Sequence, residues 1–270
     1  MLGKLIKYDL KALSRYMLPI FALSLISAVI LRIDLTVQNN IGENFVTNTI
    51  NFISIFLFVL AIVALSIGSF VVYIIYFYKS TLGEQGYFYM TLPATADEYL
   101  WAKFLSGAIV VLATAVVSIS SGGLIILFSP ECKEIIKMIT TAMSEFFSQE
   151  IFGSYWILFT IYFVLSLFAS QFMVAFCILS GQLLGKKKIL GAFLAYIVLQ
   201  VIEGFFGQIA LLIGIGSSDL FTLSAPEPNF TAFGNLFTKI GVISIISSVL
   251  LMAFEYFVAR YFLTKKLNLE

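Results

Sequence analysis

INFISIFLFVLAIVALSIGSFVVYIIYFY, residues 50–78, carries no charged side chain. A helix crosses the hydrocarbon core of a bilayer with about 20 mostly apolar residues. This run exceeds that, so it has length to tilt or to project beyond the membrane. Five further apolar runs lie on either side of it, at 17–33, 104–128, 155–180, 189–215 and 240–263; the first is the shortest. The 270-residue chain is 60% hydrophobic and 11% charged, with a mean hydropathy of +1.02. Those values lie far from the average soluble domain. They predict an all-α membrane protein, six transmembrane helices forming one membrane domain over residues 1–270. No soluble domain, low-complexity linker or internal repeat is evident.

Charge sets the expected orientation. With both termini in the cytoplasm, the inner side holds Lys4, Lys7, Lys11, Arg15, Lys79, Lys103, the triplet Lys186 to Lys188, Arg260, Lys265 and Lys266. The outer side keeps Arg32, Lys133, Lys137 and Lys239. This is a positive-inside bias, and it predicts a multi-pass protein of the cell (plasma or inner) membrane. The net charge of +1 reflects that topology and gives no indication of a nucleic-acid partner.

Residues 1–16 suit an amphipathic interfacial helix. Leu2, Ile6, Leu10 and Leu13 share one face, and Lys4, Lys7, Lys11 and Arg15 cluster on another. Such a helix lies among the headgroups, with its lysines near anionic lipid phosphates. Asp9 sits near the apolar edge and is expected to meet a protein partner or a neighbouring lysine. No small-residue cleavage site follows the first apolar run, so that run is expected to stay as an anchor. Ser129-Pro130-Glu131 opens a second short helix after the third span, with Ile135, Ile136, Ile139, Met143, Phe146 and Phe147 at helical spacing. Residues 216–237, rich in Ser, Pro and Asn, read as an irregular outer cap.

Several kinds of chemistry are disfavoured. Histidine is absent, which removes the commonest general base and transition-metal ligand. The serines therefore lack a histidine base, and no catalytic or metal-binding residue is predicted. Asp97-Glu98 is explained by helix capping. Cys132 and Cys177 fall at different depths of the expected topology and imply no disulfide. The stretch Gly181-Gln-Leu-Leu-Gly185-Lys186-Lys187 looks like a phosphate loop, but its glycine spacing is one residue short and no Ser or Thr follows the lysine. It is expected to be a tight inner turn with a basic anchor. The chain itself is expected to bind no cofactor.

Polar residues inside the spans are more suggestive. Gln200 and Glu203 lie one helical turn apart, Gln208 follows at the edge of the same side, and Gly204 and Gly207 stand between. Gln171 lies at mid-depth of the fourth span. An ionisable group near the bilayer midplane is costly and usually faces the protein interior or a wet cavity. Gln171, Gln200, Glu203 and Gln208 are thus candidates for a substrate path. The alternative is close packing on the glycines, with hydrogen bonds between helices. Glu255 is expected to be satisfied by Arg260 or the nearby interface.

The segment 79–103, KSTLGEQGYFYMTLPATADEYLWAK, is the most detailed connector. A Gly-Glu-Gln-Gly break precedes the aromatic run Tyr87-Phe88-Tyr89; Leu92-Pro93 follows, and Thr95-x-x-Glu98 is a capping box that starts a helix. Together with the opening MLGKLIKYDLKA and the long second span, this layout resembles the permease subunits of ATP-binding-cassette (ABC) exporters, type-2 class. Glu84, Leu92-Pro93, Thr95 and Lys103 match the family's inner loop. The family's basic residue after the Ser or Thr is here replaced by Ala96-Asp97.

The resemblance implies an elbow helix at the N-terminus and a cytoplasmic coupling helix between spans two and three. It also implies a separate cytoplasmic ATPase subunit that carries ATP and Mg, and a second permease copy or paralogue. The chain would then be an export subunit without enzymatic activity of its own. The resemblance carries over no substrate; the greasy spans themselves suit an apolar or amphipathic cargo such as a peptide, antibiotic or drug-like molecule. Coupling contacts would come from Glu84, Gln85, Gly86, Tyr87, Phe88, Tyr89 and Met90, bulky anchors within a polar rim. An aromatic belt at the headgroups is the alternative for the same aromatics. Two other functions remain: a proton-coupled secondary transporter using Glu203, and a non-transporting membrane immunity or adaptor protein.

Overall fold

The computed structural model describes residues 2–42, 44–83, 86, 95–127, 132–148, 152–216 and 230–265. Among them are the helices α1 (Leu2–Ile41), α2 (Phe45–Thr81), α3 (Ala96–Leu127), α4 (Cys132–Ser148), α5 (Phe152–Gly181), α6 (Lys188–Gly216) and α7 (Phe230–Lys265). A 3-10 segment, Gln182–Lys187, joins α5 to α6. All but α4 are long and apolar enough to cross a membrane, which makes six candidate spans. Residues 1–94 with 101–143 form one compact unit, and 95–100 with 144–270 form a second.

In the first unit α1 and α2 pack as antiparallel neighbours. The buried stripe of α1 is Leu5, Asp9, Leu13 and Met17, continued by Ser24, Ser27, Ala28 and Leu31. It shares Leu13 with the expected face but lies one step round the helix from Leu2, Ile6 and Leu10, which are only half-buried. The facing stripe of α2 is Ser54, Ala61, Leu65, Ser69, Tyr73 and Tyr76. Lipid supplies no hydrophobic drive between helices, so small residues such as Ser54, Ala61 and Ser69 matter because they let the backbones approach. The opposite face of α2 presents Ile53, Phe56, Leu60, Val63 and Ile67 outward, at a spacing that suits lipid contact. At one end the pair is clipped by Gln38, whose amide donates to Asn48 at 3.1 Å and whose carbonyl accepts from Asn51.

At the other end lies a buried ion pair. Lys103 Nζ of α3 stands 2.8 Å from Asp9 Oδ1 of α1, with the two side chains 0% and 1% exposed. The Tyr76 hydroxyl of α2 donates to the same carboxylate oxygen. Lys103 also lies over the Tyr76 ring, 4.4 Å from its centre, and the Tyr73 hydroxyl donates to the Lys103 carbonyl at 3.3 Å. Asp9 therefore does meet a lysine, but one from the third span rather than one of its neighbours on α1.

Two expected elements differ in extent. Residues 2–41 form a single helix with no break near residue 16: Arg15-Tyr16-Met17 contains no stop signal, and Pro19 removes one backbone donor and crowds the Arg15 carbonyl without ending the helix. Its 40 residues make it about 60 Å long, roughly twice the hydrocarbon thickness. The second difference is α7, which begins at Phe230 within the expected irregular cap. Phe230, Phe233 and Phe237 recur at helical spacing there, a pattern masked by the polar composition. Residues 217–229 lie outside the described ones, as does Ser129-Pro130-Glu131. The expected short helix after the third span is present as α4.

In the second unit α5 packs on α6 and α7, and α6 on α7. The α5–α6 connection is a tight turn, as its glycines suggest: Gly185 sits at φ +55°, where an L side chain is strained. Gly181 and Gly191 touch backbone to backbone, so that a Cβ on Gly191 would stand 2.5 Å from the Gly181 carbonyl oxygen. Phe172 meets Tyr256 at 6.1 Å and Phe176 meets Phe254 at 5.8 Å, holding α5 against α7.

Two stability outcomes follow from these contacts. Asp9→Ala leaves Lys103 charged and buried, and thermal melting in detergent should show a loss of about 3–5 kcal/mol. The Asp9→Leu/Lys103→Met double variant should recover most of it. Gly191→Ala should cost about 1–3 kcal/mol through overpacking of the α5–α6 turn, measured as a lower unfolding midpoint in SDS titration.

Candidate functional site

Three helix faces in the second unit converge on a cavity of about 300 Å³. From α5 come Tyr162, Leu165, Ser166 and Ala169, and from α6 come Glu203, Phe206 and Gly207. From α7 come Ser244, Ser247, Ser248, Leu251, Met252 and Glu255. On each helix these residues recur three or four apart, so each set forms one stripe. The α7 stripe is a ladder of hydroxyls that ends on a carboxylate.

The cavity's polar atoms are mostly acceptors. Ser166 donates its hydroxyl hydrogen to the Phe163 carbonyl at 2.8 Å, and Ser247 donates to Ser244 at 3.0 Å. Such bonds back to the helix occupy the hydroxyl proton and leave oxygen lone pairs available. Among the described residues no lysine or arginine lines the cavity. The two carboxylates, the serine oxygens and the faces of Tyr162 and Phe206 suit an occupant with a positive charge or several donors.

The two acids are held differently. Glu203 is half-buried, and its Oε2 accepts from the Gln200 amide at 3.1 Å, which fixes the carboxylate's orientation. Glu255 is buried, at 2% exposure, and makes no ion pair among the described residues. Arg260 is committed elsewhere. Its guanidinium lies 2.9 Å from Asp97 Oδ2, while the Tyr256 hydroxyl donates to Asp97 Oδ1 at 2.6 Å. The expectation that Arg260 satisfies Glu255 is thus corrected, because five residues of helix turn the two side chains about 140° apart. A buried carboxylate without a cation is unfavourable unless a proton or a cationic occupant meets it.

The expected path residues are only partly gathered at this cavity. Glu203 lines it, and Gln200 touches it through Glu203 while also donating to the Met173 sulfur at 3.8 Å. Gln208 is exposed and does not line it. Gln171 is buried, donates to Ser170 Oγ at 3.1 Å and likewise lies off the lining. Glu255 and Ser244, Ser247 and Ser248 complete the lining. Their signal in the sequence was a polar stripe at helical spacing along an apolar helix.

At the inner loop, α2 closes on Leu82, whose N–H donates to the Tyr78 carbonyl at 2.8 Å. A side chain at Gly83 would collide with the Lys79 carbonyl, at 2.7 Å. The Gly86 N–H returns to the Gly83 carbonyl at 2.8 Å, so the chain turns at the expected glycine break. The capping box is formed: the Thr95 N–H donates to Glu98 at 3.1 Å, and the Glu98 N–H to Thr95 Oγ1 at 3.3 Å. Of the coupling candidates, Gly86 is described; Glu84, Gln85, Tyr87, Phe88, Tyr89 and Met90 lie outside the described residues, with Leu92-Pro93. No family model, curated protein sequence or solved structure matches the chain.

The cavity's electrostatics give a stability contrast. Glu255→Gln should raise stability by no more than about 1–3 kcal/mol, the upper end applying where the buried carboxyl is ionised and little change where a proton already meets it. Asp97→Asn breaks a half-exposed ion pair and should cost no more than about 1 kcal/mol. Circular dichroism melts in detergent compare the two. A destabilised Glu255→Gln protein would show that the Glu255 carboxyl has a partner that an amide does not serve.

Proposed function

We propose that this chain is the membrane-spanning permease subunit of an ATP-driven exporter of the ABC type. The observation that carries the proposal is the buried Asp9–Lys103 pair with Tyr76. Lys103 is the lysine at which the resemblance places the entry to the third span, and Tyr76 lies just before the end of the second. Both flanks of the inner segment are thereby rooted in one contact that also holds α1. A push on that segment would reach three helices together instead of deforming a slack loop.

In this reading the termini and the 84–94 segment face the cytoplasm of a plasma-membrane protein. The N-terminal part of α1, continuous with the first span, stands where the family has its elbow. A separate ATPase, holding ATP and Mg, grips residues 84–90, and a second permease completes the pathway. The acceptor-lined cavity receives the cargo, which favours an amphipathic molecule bearing a protonated amine. Alternating access follows from closure of the ATPase pair against the two inner segments.

A proton-coupled transporter is the second reading, favoured by one observation: Glu203 and Glu255 line the same cavity without a lysine or arginine among the described residues. It predicts transport that stops when the proton gradient is collapsed and needs no ATPase.

Pull-down from native membranes separates the two. Wild type should recover an ATPase, and Tyr87→Ala/Phe88→Ala should recover about tenfold less, as expected for loss of aromatic anchors. Equal recovery with both proteins would end the coupling proposal. In proteoliposomes, Glu203→Gln and Glu255→Gln should each slow uptake of a cationic amphiphile while leaving ATPase recovery unchanged.

A further inference from the structure

A second cavity, of about 550 Å³, opens between α1 and α2 in the first unit. Its rim carries Lys11 and Arg15 from α1 and Lys79 from α2, and its walls include Tyr8, Tyr16 and Ile75. Residues 8, 11, 12, 15 and 16 form one helical stripe, so both α1 cations face the same groove. All three cations are exposed, and none forms an ion pair with a described residue. Asp9, the one acid in the first 33 residues, is bound to Lys103 instead. The groove thus concentrates positive charge that no described residue neutralises.

Its depth and its walls identify the occupant. Arg15 and Tyr16 immediately precede the first apolar run, and Lys79 immediately follows the second. Three cations therefore stand at the level where apolar helix meets water, whichever face of the membrane that is. Below them Ile75 is 47% exposed beside Val72 and Ala12, an apolar wall continuous with the membrane-facing helix surface. A soluble anion would use the cations and leave that wall bare. An acyl chain would cover it.

We propose that this groove is a binding site for an anionic glycerophospholipid. Lys11, Arg15 and Lys79 hold the phosphodiester, the hydroxyls of Tyr8 and Tyr16 donate to its oxygens, and one acyl chain lies along Val72 and Ile75. Arg15 supplies paired donors suited to phosphate oxygens, and the two lysines act as point charges. The bound lipid would bridge the start of α1 to the end of α2, beside the Asp9–Lys103 contact. The site stands on the first unit alone and is independent of what the protein transports.

The test uses the full-length protein in a neutral detergent, melted with dioleoylphosphatidylglycerol, with dioleoylphosphatidylcholine or with inorganic phosphate. Ligand linkage should raise the wild-type Tm by several degrees with phosphatidylglycerol and leave it unmoved with the other two. Lys11→Gln/Arg15→Gln/Lys79→Gln should lose that shift, and Lys4→Gln/Lys7→Gln, outside the groove, should keep it. Should the triple variant fail to fold, Arg15→Gln and Lys79→Gln alone are each expected to lose part of it. Native mass spectrometry should show phosphatidylglycerol retained by wild type and not by the groove variant. An equal shift with phosphate would make the site a free-anion site and overturn the lipid assignment. A retained shift in the triple variant, or an equal loss in Lys4→Gln/Lys7→Gln, would reduce it to diffuse surface charge.

Discussion

The first unit depends on a charge pair that lipid could not tolerate unpaired. Asp9 and Lys103 are each nearly inaccessible, and they meet across 94 positions of sequence. Removing both charges from water is costly; their attraction, the Tyr76 hydroxyl and the Tyr76 ring offset that cost only when all are in register. The pair is therefore better understood as a device for specifying position than as a source of stability. It selects one rotation of α1, since turning the helix by a single residue would carry Asp9 off its buried stripe. It also fixes where α3 enters relative to α2, through the Tyr73 hydroxyl on the Lys103 carbonyl.

The second unit handles polarity the opposite way. Around its cavity Ser166 and Ser247 spend their protons on their own helices, and the carboxylates face no cation among the described lining residues. A site of this kind is incomplete until something positive arrives. The Asp97–Arg260 pair shows that the same helix, α7, does pair its charges where it has no need to keep one open.

The main outline was legible in the sequence because lipid imposes a simple rule: long stretches without charge must be helical and must span. The local punctuation at Thr95 and Glu98, and the glycine turn at Gly185, could be read for the same reason, since each needs only a few adjacent residues. What could not be read was which faces meet. Periodicity placed Asp9 at an apolar edge but could not say that its lysine lies on α3. The start of α7 was hidden because Ser, Pro and Asn outweighed the spacing of three phenylalanines. Of the two partners expected for Glu255, Arg260 could have been set aside from the sequence, since its offset already puts the two on different sides of one helix. The aromatic run from Tyr87 is clear as a pattern, but it lies outside the described residues, so its role rests on the contacts that flank it.

The backbone contact between Gly181 and Gly191 has a consequence for how the protein is made. With only six residues between α5 and α6, neither helix can settle across the membrane without dragging the other. The two form one hairpin, with Lys186 and Lys187 in its bend and Lys188 opening α6. Three adjacent charges make that bend hard to translocate, so the hairpin has one threading direction available during synthesis. The hairpin of residues 152–216 thereby carries its own orienting charge, one that does not depend on how the first helix is oriented.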